Sequence, residues 1–206
     1  MGPAGGGMIA MLEAVHTSAA IVARSSRDPD QLQSILRPEA ALAVWCRAVP
    51  VVIDPDDLEN VAPIRLQAEI GAVASAIRAA LGEGPARDWH AAIVDDIASL
   101  ARRYAEVMDT DTVAIRLERI STNACWKFHS DYVRARMITT YYGPGTEWTI
   151  SGDDGPGAVH QLGVGHVGIF KGRVWAPEAK VLHRSPPIAG TGDVRLLLVI
   201  DAVPVS

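Results

Sequence analysis

The chain predicts a mainly β fold with α: a jelly roll flanked by an N-terminal helical layer. Three observations lead there. The spacing of apolar residues changes near Thr112, from the helical period to strict alternation. Short β-branched and aromatic runs follow, separated by turns at Gly143-Pro144-Gly145, Gly152 to Gly157 and Pro186-Pro187. Helical patterns come first and strand patterns after, which suits a double-sheet jelly roll with a helical flank.

Each element has its own reason. Residues 1–7, MGPAGGG, are too glycine-rich to hold a fixed backbone, and residues 1–30 as a whole read as a weakly ordered N-terminus with a loop at Ser25-Ser26-Arg27-Asp28-Pro29. Residues 31–110 form the predicted helical layer and 111–206 the β core. Within the layer, Glu39 to Val49 reads as a short helix stopped by Pro50, since proline cannot continue the ladder. Asp54-Pro55-Asp56-Asp57 reads as a turn or cap. Ile64 to Leu81 places Leu66, Ile70, Val73, Ile77 and Leu81 on one helical stripe, with Gly82 where a terminating glycine belongs. Asp88 to Met108 repeats the pattern through Ala92, Ile93, Ile97, Leu100 and Tyr104, with Asp88 as its cap. Beyond Thr112, Val113, Ile115 and Leu117 alternate with Ala114, Arg116 and Glu118. Further strands are predicted at Tyr132–Tyr142, Thr146–Ile150, His166–Phe170, Lys180–His183 and Val194–Val203.

Bulk properties exclude some functions. The 206 residues suffice for one domain with a sizeable core. A formal charge of −5, with scattered basic residues, argues against nucleic acid as a partner. Met8 to Ala23, the most apolar stretch, carries Glu13 and His16 and lacks a basic leader, so neither a membrane span nor a signal peptide is expected. Two cysteines, Cys46 and Cys125, make no disulfide framework, and a cytoplasmic setting is the simplest expectation.

The chemistry concentrates in CWKFHSDYVRARMITTYYGPGTEW, Cys125 to Trp148. Residues i and i+2 of a strand share a face, so His129 and Asp131 would stand side by side. His183 follows in KVLHRSPP, and two imidazoles with one carboxylate are the facial triad of non-heme Fe(II) oxygenases. Arg195 lies in the apolar run DVRLLLVID, where a guanidinium must find an anion or face water. The plainer readings are a surface His129 with a turn-capping Asp131, a core His183, and an edge Arg195 paired to Asp193 or Asp201.

H-x-D, the strand through Thr139 to Tyr142, Gly168-Ile169-Phe170, His183 and Arg195 together resemble the Fe(II)/2-oxoglutarate dioxygenases, prolyl hydroxylases above all. The likeness covers roughly residues 113–202. It implies a double-stranded β-helix of the jelly-roll or cupin-like kind. It also implies Fe(II) on His129, Asp131 and His183, 2-oxoglutarate on Arg195, and O2 as co-substrate. The reaction implied is oxidation of a small-molecule or peptide substrate, with succinate and CO2 released. The pattern is incomplete. Leu197 stands where a hydroxyl is usual, and the Gly-Gly-Glu-Leu segment appears only as Gly145-Thr146-Glu147-Trp148. Tyr141, Tyr142 or Thr139 could supply the missing hydrogen bond. Arg134 and Arg136, on one strand face, could bind a substrate anion, and Trp126, Phe128 and Trp148 could wall a pocket.

Over its whole length, through AVWCRAVP and the 125–148 segment, the chain is also similar to the bacterial domain-of-unknown-function family 1826. Members of that family are often linked with zinc-responsive genes, which keeps Zn open as the metal. Cys125, four residues before His129, could then complete a closed site, since thiolate and imidazole both suit zinc. The second expectation is therefore a non-catalytic metal-binding protein of metal homeostasis on the same fold. A third is a cupin-like hydrolase or isomerase with a divalent metal. His160 and His166 could act as secondary ligands.

Overall fold

The computed structural model describes residues 22–59, 61–82, 88–152, 155–178 and 180–203. Two β-sheets face each other, and helices cover the outer face of the larger one. The N-terminal part contributes β1 (Ala23–Ser26), a 3-10 helix (Pro29–Leu36), β2 (Leu42–Trp45), α1 (Pro55–Leu58), β3 (Ile64–Glu69), α2 (Val73–Leu81) and α3 (Asp88–Met108). Then come β4 (Thr112–Ile120), β5 (Ala135–Tyr142), β6 (Glu147–Gly152), β7 (Gly155–Pro156), β8 (His160–Gln161), β9 (Val167–Lys171), β10 (Val181–Arg184) and β11 (Arg195–Ala202).

The large sheet runs β1-β2-β9-β5-β11-β4-β3. The small one is built on β10-β6, with β7 and β8 also paired to β6. An isolated antiparallel bridge, His129 to His183, adds a further strand position to the small sheet. From β4 onward the chain passes repeatedly between sheets: β4 large, His129 small, β5 large, β6 and β8 small, β9 large, β10 small, β11 large. That is a jelly roll, eight strand positions in two sheets of four. The sheets do not close into a barrel.

Two cores result. Strand alternation sends Val113, Ile115 and Leu117 of β4 and Met137 and Tyr141 of β5 outward, onto Ile93, Ile97, Leu100 and Tyr104 of α3. The opposite faces supply Ile138, Phe170, Leu42 and Val44 to a smaller core between the sheets, with Leu162 and Val181 from the other side. The first of the glycine turns is structurally required. Gly143 has φ +78°, and a Cβ there would lie 1.9 Å from the Val194 carbonyl oxygen.

Three elements before β4 differ from expectation. Glu39 to Val49 holds no helix: Leu42–Trp45 is strand β2, between β1 and β9. A strand buried on both faces shows the same continuous apolar run as a buried helix segment. Ile64–Glu69 is edge strand β3, paired with β4, and only Val73–Leu81 is the α-helix. Within β3, Ile64, Leu66 and Ala68 alternate with Arg65, Gln67 and Glu69, so the segment fits both periods and the free edge of β4 decides. The third is Ala23–Ser26, expected in the weakly ordered N-terminus, which pairs in parallel with β2. Residues 1–21 lie outside the described residues, as does the side chain of Asp88. Gly82 ends α2 at φ +81° as expected, its N–H donating to the Ala79 carbonyl. No described helix is long and apolar enough to cross a membrane.

Candidate functional site

His129, Asp131 and His183 converge between the sheets. The His129–His183 bridge sets the two histidines side by side, and their ring centres lie 4.7 Å apart. The backbone makes both bridge hydrogen bonds, His129 N to His183 O at 3.0 Å and His183 N to His129 O at 2.9 Å. Asp131, two residues on, turns to the same side as His129. One ligand atom from each residue fits within a group whose members all lie within 4.8 Å of one another. Among the described residues this is the metal-capable group of histidine, cysteine and carboxylate side chains.

The details suit a cation. Nδ1 of His129 lies 2.8 Å from the Lys127 carbonyl. A carbonyl can only accept, so Nδ1 carries a proton there and Nε2 is the nitrogen that faces Asp131. Arg136 holds Oδ1 of Asp131 at 2.5 Å. Oδ2 is buried, and although His183 Nε2 approaches to 3.1 Å, no donor is properly directed at it. A buried carboxylate oxygen without a donor, facing two imidazole nitrogens, is a donor set for a divalent metal. Burial works to raise the Asp131 carboxyl, but the nearness and charge of His183, then Arg136 and His129, outweigh it and bring it to about 2. Burial pushes the His183 imidazole down, against the upward pull of Asp131, and favours the neutral form that can ligate.

Arg195 is fully buried and turned between the sheets, as its strand parity with Leu197 and Val199 requires. Its partners are three hydroxyls: Ser185 at 2.8 Å, Thr146 at 3.0 Å and Thr140 at 3.2 Å. Among the described residues no carboxylate reaches it, and Nε has no partner. Burial pulls this guanidinium down to about 10, with only the more distant Glu147 charge acting the other way. Thr146 and Ser185 border the same cavity as the triad, a space of about 380 Å³.

Other expected residues are placed differently. Tyr141 faces α3, where its hydroxyl donates to Asp96 at 2.6 Å, and Thr139 shares that outward face with no partner for its hydroxyl. The hydroxyls that reach Arg195 come from Thr140, one step along β5, and from Thr146 and Ser185. Arg136 lies at the site, held by Asp131 and by Asp201 at 2.8 Å through both carboxylate oxygens. Arg134 does not join it: its guanidinium donates to the Met108 carbonyl at the end of α3 and lies over Trp175. Trp148 stacks on His160 and packs in the core between the sheets, away from the cavity lining. Trp126 is half exposed, and Phe128 lies under Arg184. His166 accepts from the Gly163 N–H, apart from the triad. Cys125 borders the cavity, but its sulfur is not in the converging group.

Sequence reasoning missed Thr140, although a signal was present. With Arg136 read as facing the site, every second residue of β5 follows it, which selects Ile138 and Thr140 over Thr139 and Tyr141. Thr146 and Ser185 lie just outside strands β6 and β10, where no period applies.

The family model "Protein of unknown function (DUF1826)" matches residues 26–201, and the chain belongs to that family. No curated protein matches the sequence. Among solved structures, the rice dioxygenase for auxin oxidation is similar over 94% of this chain and 69% of its own, at 12% identity and TM-score 0.44. The Arabidopsis thaliana dioxygenase for auxin oxidation 1, in a 2-oxoglutarate complex, is similar over 98% and 81%, at 15% identity and TM-score 0.41. A putative oxygenase from Shewanella oneidensis is similar over 69% and 62%, at 12% identity and TM-score 0.42. At such scores the likeness assigns neither substrate nor catalysis.

Proposed function

We propose that this DUF1826 chain is a non-heme oxygenase holding Fe(II) through His129, Asp131 and His183, with 2-oxoglutarate as co-substrate and its far carboxylate on Arg195. One observation supports the reading: a fully buried guanidinium met, among the described residues, only by neutral hydroxyls, two of which, Thr146 and Ser185, line the cavity into which the triad converges. A buried cation is costly without an anion, and a carboxylate matches its fork.

Bound iron with 2-oxoglutarate would supply activation of O2, with succinate and CO2 released. The chain's own work is positioning. Lys127 fixes the His129 tautomer through its carbonyl. Arg136 pins one oxygen of Asp131 and leaves the other turned inward. Thr140, Thr146 and Ser185 hold the Arg195 guanidinium without neutralising it, so its charge stays available to an anion. The core between the sheets, with Ile138 and Phe170 beside His183, limits water at the site.

Metal analysis tests this. His129→Ala and His183→Ala should each bring iron content near background while the circular dichroism stays that of the parent. Full retention in both would sink the ligand assignment. Cys125→Ser should keep metal affinity. The alternative, a zinc-holding protein without turnover in which Cys125 is the fourth ligand, requires instead a large loss in that variant and a Zn–S distance of ~2.3 Å.

A further inference from the structure

The open end of the cavity carries a surplus of positive charge that the triad and Arg195 do not explain. Arg65 on β3 and Arg116 on β4 stand directly opposite each other, and both border the cavity. Like charges opposite one another on neighbouring strands are unfavourable, so the pair needs compensation. Arg65 has it in Glu118. Arg184 likewise has Glu147 at 2.6 Å. Arg136 is shared between Asp131 and Asp201.

Of these four arginines, Arg116 is left over. Its one ion-pair contact among the described residues is Asp201 Oδ2 at 3.8 Å, and both oxygens of that carboxylate already accept from Arg136 at 2.8 Å. Its side chain is 34% exposed, open enough to meet a ligand at the mouth. This surplus sits on a chain whose formal net charge is −5, so it is a local feature of the cavity and not a general basicity.

The geometry points to an oxyanion site: the mouth receives an anionic group of the substrate, a carboxylate or a phosphate ester, on Arg116 with Arg65 across the strand. The assignment of that anion to the oxidised substrate rests on the oxygenase reading. Arg116 faces the same side of the large sheet as Arg136, which touches Asp131. A substrate anchored there would therefore lie along the sheet face leading to the triad, its anion at the edge and its remainder over Leu197 and Val199. An arginine fork over a planar oxyanion selects charge and shape together.

The test does not depend on metal. Chelator-treated protein, with arginine side chains labelled with nitrogen-15, is titrated with phenylacetate, phenyl phosphate and the neutral phenylacetamide. The Nε–H signals of Arg116 and Arg65 should move with either or both anions and not with the amide. Which anion binds more tightly assigns carboxylate or phosphate. Arg116→Gln should weaken the tighter anion roughly tenfold, the scale of one charge-assisted fork, and Arg116→Lys should keep part of the affinity. Both variants should hold iron and 2-oxoglutarate as the parent does. Equal shifts with the amide, no shift with any probe, or parental anion affinity in Arg116→Gln would each overturn the site. Anion shifts in a protein that binds no 2-oxoglutarate would instead remove the oxygenase reading and leave the anion site standing.

Discussion

At the residue scale the arrangement turns on Arg195. The fold surrounds a full positive charge with three neutral hydroxyls, and burial pulls the guanidinium down. Replacing buried charges by an apolar side chain of similar length is often neutral or stabilising. Arg195→Met should therefore raise the stability of the ligand-free protein, by about 1 kcal/mol or more in urea unfolding. The same change should weaken 2-oxoglutarate binding at least as much as alanine does. Arg195→Ala should weaken that binding by ~30-fold, the loss of ~2 kcal/mol from a desolvated charge pair, and leave metal content unchanged. Arg195→Lys should rescue it only in part, because an ammonium cannot make two parallel bonds. If Arg195→Met destabilises the ligand-free protein and leaves 2-oxoglutarate affinity intact, the guanidinium is a structural strut between the sheets and the co-substrate has another partner.

At the scale of elements, β5 divides two jobs between its faces. Arg136, Ile138 and Thr140 look inward to the cavity and the core between the sheets, while Met137, Thr139 and Tyr141 look outward to the helices. The outward face is bound to α3 by a polar cluster. Asp96 accepts from Arg47 at 2.5 and 2.7 Å and from Tyr141 at 2.6 Å, joining the segment after β2, the helix and the sheet. Asp96→Ala would strand a largely buried guanidinium and a fully buried phenol, and should cost about 3 kcal/mol. Tyr141→Phe removes one hydrogen bond and should cost about 1–2 kcal/mol. Neither substitution should change 2-oxoglutarate affinity by more than the error of the measurement. Denaturant titration set beside ligand titration separates the two roles. A 2-oxoglutarate defect in Tyr141→Phe at unchanged stability would return that hydroxyl to the site.

At the scale of the whole molecule the candidate site lies between two sheets, which explains what the sequence disclosed and what it concealed. The α3 pattern and the alternation of β4 were legible because each has one buried and one wetter face. The segments read wrongly, Leu42–Trp45 and Ile64–Glu69, owe their structure to distant strands, β9 and β4, that no local period records. His129, Asp131, His183 and Arg195 were legible as candidates because their order and spacing matched a known pattern. The hydroxyls on Arg195 were not, since they come from three chain segments that meet only when the jelly roll forms. The same two-sheet arrangement carries a last prediction. The triad belongs to the side of the small sheet, while Arg195 projects from β11 of the large one. A ligand that engages both must fasten the sheets together. Iron alone should raise the thermal midpoint, and 2-oxoglutarate should raise it further only when iron is present. At a hundredfold excess over its dissociation constant each binding step is worth ~2.7 kcal/mol, which for a chain of this size is roughly 5–10 °C. Amide exchange should slow at the start of β11 and along β10 and β6 in the doubly loaded protein. A shift from 2-oxoglutarate in metal-free protein equal to that in loaded protein would uncouple Arg195 from the triad. Full stabilisation by iron with no effect of 2-oxoglutarate would favour a metal-holding protein without this co-substrate.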